Sequence, residues 1–121
     1  MKTRFKSRYT VIEFPVFCNY RVHVEVSSDI RRSMAKYPPT EDLSKEDSHG
    51  TEACAIHICD EPFSFIFLPY NANVGSIAHE AWHVIRQIME HTNVELDNEA
   101  VAYHLGYLTD GIFKFVHGKK R

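Results

Sequence analysis

This 121-residue chain lacks several things, and each lack removes a class of protein. No apolar run approaches the ~18 residues that a bilayer-spanning helix needs, so neither a membrane span nor a membrane partner is expected. Charge of one sign is missing too. Fourteen Lys and Arg against sixteen Asp and Glu leave a net charge of −2, which argues against a protein that holds nucleic acid through a global positive field. The basic residues that do cluster (Lys2, Arg4, Lys6 and Arg8; Lys119, Lys120 and Arg121) read as solvated tails at 1–8 and 118–121. Cysteine is scarce: Cys18, Cys54 and Cys59 make an odd count with no C-x-x-C spacing. That excludes a disulfide framework and a thiolate zinc knuckle, and it predicts reduced thiols in a cytoplasmic, intracellular protein. Glu13 interrupts the first apolar stretch and no small-residue cleavage site follows, so no signal peptide is expected. Repeats and low-complexity stretches are absent, and the length suits one domain over residues 1–121.

What is present is a set of short strands and two long helices. Tyr9 to Phe17 and Arg21 to Val26 are rich in β-branched and aromatic residues around Asn19-Tyr20, which predicts a β-hairpin. Val22, Val24 and Val26 alternate with Arg21, His23 and Glu25, giving one buried face and one wet face, with His23 an ordinary surface histidine. Pro15 cannot donate to a ladder, so the first strand belongs at an edge. Ser28 or Asp29 can cap a short helix through Lys36, anchored by Ile30 and Met34 and stopped by Pro38-Pro39. Thr40 to Glu52 is polar and acidic and reads as a surface connector.

Ala53 to Cys59 and Phe63 to Leu68 then read as two strands joined at Asp60-Glu61-Pro62. In the latter, Phe63, Phe65 and Phe67 oppose Ser64, Ile66 and Leu68. It is apolar on both faces and therefore central, while the former would border a cleft. Cys54 and Cys59 read as small buried residues on opposite faces of their strand. A helix from an Asn73 cap to a left-handed Asn93 follows, then a second from Val94 or Asn98 to Val116. Thr92-Asn93-Val94-Glu95 fits a capping box for the early start, and Asp97 fits a cap for the late one. The expected class is α+β: a small twisted, mainly antiparallel sheet packed against these two helices.

The chemistry is concentrated in His79-Glu80-Ala81-Trp82-His83, an H-E-x-x-H run. Eight His and ten Glu placed at random would give on the order of 0.04 such runs in a chain of this length. Two histidines four apart on a helix share a face about 6 Å apart along the axis, so both imidazoles can reach one Zn2+. Glu80, about 100° round the helix, is left free to take a proton from water at that metal. A catalytic zinc takes three protein ligands, so a third is required. The metzincin pattern puts it six residues after the second histidine, behind a glycine; Met89 and Arg86 stand at those positions, which excludes that class. His91 lies about 12 Å up the same helix and cannot curl back. Glu99 on the following helix is the strongest candidate, ahead of Glu95 and Asp97.

Helical phase agrees. Val101, Leu105, Leu108, Ile112 and Phe115 form one stripe, with Glu99, Ala102, Tyr103, Gly106 and Asp110 opposite. The first helix divides likewise, Ile77, Ala81, Val84 and Ile88 against His79, His83, Arg86 and Glu90. Antiparallel packing would let the two polar rows face each other across a metal, with Ala102 and Gly106 permitting close approach. Tyr103 is the first candidate for stabilising an oxyanion, with His104 and Tyr107 as alternatives. Asp97 or Asp110 could orient a ligand histidine.

H-E-x-x-H followed on the next helix by Asn98-Glu99-Ala100-Val101-Ala102-Tyr103-His104-Leu105 resembles the compact gluzincin metallopeptidases, in style the small ImmA/IrrE-type zinc peptidases. The resemblance covers roughly Ile77 to Leu108. Trp82 departs from it, standing where that family usually has a small residue. It implies a minimal zincin-like domain with zinc held by His79, His83 and Glu99. It also implies a hydrolase that cleaves a peptide or protein substrate with Glu80 as general base. The alternative is a non-catalytic zincin-like module acting through protein contacts.

Overall fold

The computed structural model describes residues 5–14, 17, 19–36, 53–57 and 61–118. In chain order its elements are β1 (Ser7–Phe14), β2 (Tyr20–Ser27), α1 (Ile30–Ala35), β3 (Cys54–His57), β4 (Phe63–Pro69), α2 (Val74–Thr92) and α3 (Asn98–His117). The fold is α+β, with a four-stranded mixed sheet in the order β1-β2-β4-β3. β1 and β2 form the expected hairpin, paired antiparallel from Ser7↔Ser27 to Phe14↔Tyr20. Asn19 turns the chain between them with φ 58°, a left-handed conformation that asparagine tolerates. β4 lies centrally, parallel to β2 and antiparallel to β3. β1 sits at the edge, as Pro15 suggests. Pro15 itself, Cys18, Pro38-Pro39, Thr40 to Glu52 and Ile58 to Asp60 lie outside the described residues.

The sheet is covered on both faces, and side-chain alternation assigns each residue to one of them. Val22, Val24, Val26, Ile66 and Leu68 join Ile77, Ala81, Val84, Ile85, Ile88, Leu108 and Ile112 in the main core under α2 and α3. Phe65 and Phe67 point the other way and pack with Ile30, Met34 and Cys54 under α1. This corrects the expected wet face of β2. Glu25 is only 2% exposed, and Lys36 at the end of α1 reaches it with Nζ 2.9 Å from Oε2. His23 is half-buried rather than a free surface histidine: its ring packs on Phe63 and Phe65, and Nδ1 is hydrogen-bonded to the Tyr9 hydroxyl. Alternation shows that a strand has two faces, and it carries no information on what covers the second.

Both long helices begin and end where side chains satisfy the backbone. Asn73 Oδ1 accepts from Ser76 N at 2.8 Å, and Asn93, in the left-handed region, closes α2 with its N–H on the Met89 carbonyl. For α3 the later start is the one used, since Asp97 Oδ1 accepts from Ala100 N at 2.8 Å. The Thr92 capping box does not form, because the Thr92 hydroxyl donates back to Ile88 O at 2.7 Å and α2 runs through that residue. The far end of α3 is tied down by Arg8 Nη2, which donates to Val116 O at 2.9 Å, and by His117 Nε2, which donates to Ala72 O at 2.6 Å. Along the α3 stripe Leu108, Ile112 and Val116 are buried, with Val101, Leu105 and Phe115 partly so.

Candidate metal centre

α2 positions the motif by burying one side of itself. Ile77, Ala81, Val84, Ile85 and Ile88 are removed from water, which fixes the rotation of the helix and leaves His79 and His83 on its exposed side. The two imidazoles converge. Their Nε2 atoms lie 3.2 Å apart with the ring planes at 78°. Two nitrogens each ~2.0–2.1 Å from a tetrahedral zinc sit about 3.3 Å from one another, so the observed separation fits a shared cation on both lone pairs. A neutral pair can also occupy this geometry as one N–H donating to the other nitrogen.

Glu80 points inward from the same turn and is only 7% exposed. Burial raises its carboxyl pKa above the ordinary range, and the neighbouring His79 and His83 offset part of that rise. Its charge is felt by Cys54 of β3, in the core under α1, whose thiol is pushed up to about 12, chiefly by burial and further by the Glu80 charge. The Cys54 thiol has a sulfur neighbour, Met34 Sδ, at 3.9 Å. The motif carboxylate is thus buried beside the two imidazoles, and burial favours its protonated form.

The remaining sequence candidates stand elsewhere. Glu99 lies exposed in the first turn of α3, and among the described residues no group of three His, Cys, Asp or Glu side chains converges on a common point. The spacing of the pair therefore suits a metal, and none of the described residues stands with it as a third ligand. Tyr103 is 72% exposed, with His104 as its ring neighbour. His104 and Tyr107 turn towards β1, packing on Phe14, and the Tyr107 hydroxyl approaches Glu13 O at 3.4 Å. Asp97 is engaged in its cap and Asp110 in an exposed ion pair with Lys114.

The histidines of one polar row do not meet the row of Glu99, Tyr103 and Gly106 across a shared point. Nothing lies within 4 Å of a Cβ built on Gly106, and it is Trp82, Arg86 and Met89 that face the start of α3, across an open groove of about 580 Å³. The close approach falls instead at Gly111, where a Cβ would come 3.2 Å from Ile12 Cδ1.

A polar seam beneath α2 was not anticipated. Ser64 Oγ donates to Gln87 Oε1 at 2.7 Å and is itself hydrogen-bonded to the buried Tyr20 hydroxyl, whose pKa burial pushes up to about 12. His91 and His57 close the seam around the Tyr20 ring. Its signal was present: His79, His83, Gln87 and His91 recur every four residues, a continuous polar row that turns from solvent towards the sheet along α2. Compared with known proteins, the chain matches no family model, no curated protein and no solved structure.

Proposed function

We propose that the chain is a zinc-dependent hydrolase acting on a peptide bond, with His79 and His83 as the metal-holding pair and Glu80 as general base. The observation that carries this reading is the 3.2 Å separation of the two Nε2 atoms beside an inward-turned carboxylate. Zinc, when bound, supplies Lewis acidity that lowers the pKa of water and polarises a carbonyl. The protein's own part follows from its residues. The two imidazoles would hold the cation through their Nε2 atoms. Glu80, its proton affinity raised by burial, takes the proton from attacking water and returns it to the leaving amine. The resemblance adds Glu99 as third ligand within a zincin-like domain, and this remains part of the proposal.

The test is metal content followed by activity. Protein purified with zinc should retain about one equivalent, and His83→Ala should lower zinc affinity by at least 10². Glu80→Gln should keep the zinc and lose cleavage of a mixed fluorogenic peptide library. A zinc-free wild-type protein after saturation and desalting would end the reading. Retained zinc with equal cleavage by wild type and Glu80→Gln would replace it with a zinc-holding module of no hydrolytic role.

A further inference from the structure

Resting on that reading, we propose that the groove between α2 and the start of α3 receives a large apolar side chain of the peptide substrate. Trp82, Met89, Val94, Leu96 and Val101 supply apolar surface along an open volume of about 580 Å³, within the range of small-ligand clefts. Two of these are wasted on solvent as the molecule stands, Trp82 at 40% exposure and Val94 at 42%, and both line the groove. Exposed apolar surface gathered in a concavity is what a binding site leaves behind in the free protein.

Position selects the occupant. Trp82 immediately precedes His83 in the chain and leads from the imidazole pair round the helix into the groove. An extended peptide advances ~3.3 Å per residue, so a carbonyl at the histidines puts a neighbouring side chain within reach of Trp82. The rim charges exclude other classes. Arg86 stands over the Trp82 ring, its guanidinium carbon 6.0 Å from the centroid, while Glu90 and Glu95 line the same groove. With Asn93 and Asn98 they give donors and acceptors of mixed sign. That rim suits the amides of a neutral peptide and repels neither strand direction, whereas a polyanion would meet two carboxylates.

Trp82 is the only tryptophan in the chain, so its fluorescence reports the groove directly. The probes are capped pentapeptides of alanine carrying a central leucine or a central aspartate, titrated into the full chain with and without zinc. The leucine peptide should give a saturable blue shift of Trp82 emission. The aspartate peptide should bind at least tenfold more weakly, and Val94→Asp, an exposed position, should weaken the leucine peptide at least tenfold. No saturable shift, or equal binding of the two peptides, overturns the groove. Hydrolysis is scored separately. Leucine-selective binding without cleavage removes the hydrolase and leaves the groove, whereas cleavage indifferent to leucine or aspartate removes the groove and leaves the hydrolase.

Discussion

The Glu80 carboxylate on α2 lies near enough to the Cys54 thiol, which points into the core under α1, for its charge to raise the pKa of the thiol. Cys54 is 8% exposed and its thiol is pushed up to about 12. At about pH 8 such a thiol is thiolate to the extent of only ~10⁻⁴, and the thiolate is the reactive form. In a Cys18→Ser/Cys59→Ser background, Cys54 should therefore react with a disulfide reagent at least 10² more slowly than free cysteine. It should reach the free rate on addition of denaturant. Fast labelling of the folded protein would show that the core between β3 and α1 opens readily.

His23 makes stability depend on pH in a defined direction. Burial lowers its pKa below the ordinary histidine value, with the nearby Arg21 acting the same way. Between the lowered value and about 6.5 the unfolded chain binds a proton that the folded chain does not, so stability rises with pH through that window and is complete above it. Protonation would also leave Nδ1 able only to donate to the Tyr9 hydroxyl. Urea midpoints should fall between about pH 7 and about pH 5, and His23→Gln should flatten that dependence. An unchanged slope in the variant would assign the effect to other groups.

The difference between what could and could not be read from the chain has a physical pattern. Local chemistry was legible: Asn73, Asp97 and Asn93 announce helix ends because their short side chains and left-handed tolerance act within four residues. The two-faced apolar β4 was legible because alternation is a property of the strand itself. What joins distant segments was not. The parallel pairing of Arg21 with Phe63 crosses a long connection that leaves no local mark, and the cover over Glu25 comes from α1 on the far side of the sheet. For α3 the stripe fixed which side is buried. It could not say that Tyr103 and Gly106 look out to water rather than across to the histidines, because phase defines a face and not its neighbour.

Gly106 offers a clean measure of that last point. It lies inside α3, exposed, with nothing within 4 Å of a built Cβ. Gly106→Ala should therefore stabilise the protein by about 0.5–1 kcal/mol through helix propensity alone. Gly111→Ala gains the same propensity but presses on Ile12 Cδ1 at 3.2 Å, so its gain should be smaller. Chemical denaturation of the two variants compares them directly. A destabilising Gly106→Ala would mean that α3 packs closely there after all, against α2 as the facing-row expectation requires.

Glu99 is the decisive residue for the zinc site. The histidine pair alone offers two nitrogens, and a two-ligand site holds zinc far more weakly than a three-ligand one. Glu99 stands exposed at the start of α3 and makes no three-residue group with the pair among the described residues. If its carboxylate is the ligand the resemblance assigns, Glu99→Gln should lower zinc affinity by about 10–100-fold while leaving thermal stability of the metal-free protein nearly unchanged, since the side chain is exposed. The zinc-induced rise in melting temperature should shrink in proportion, because a ligand that binds only the folded state stabilises it by its affinity. Asp97→Asn, a change at the cap two residues away, is the control: it should perturb helix stability modestly and leave zinc affinity alone. Equal zinc affinity in Glu99→Gln and wild type would strike Glu99 from the site and leave the third ligand to be sought on another segment.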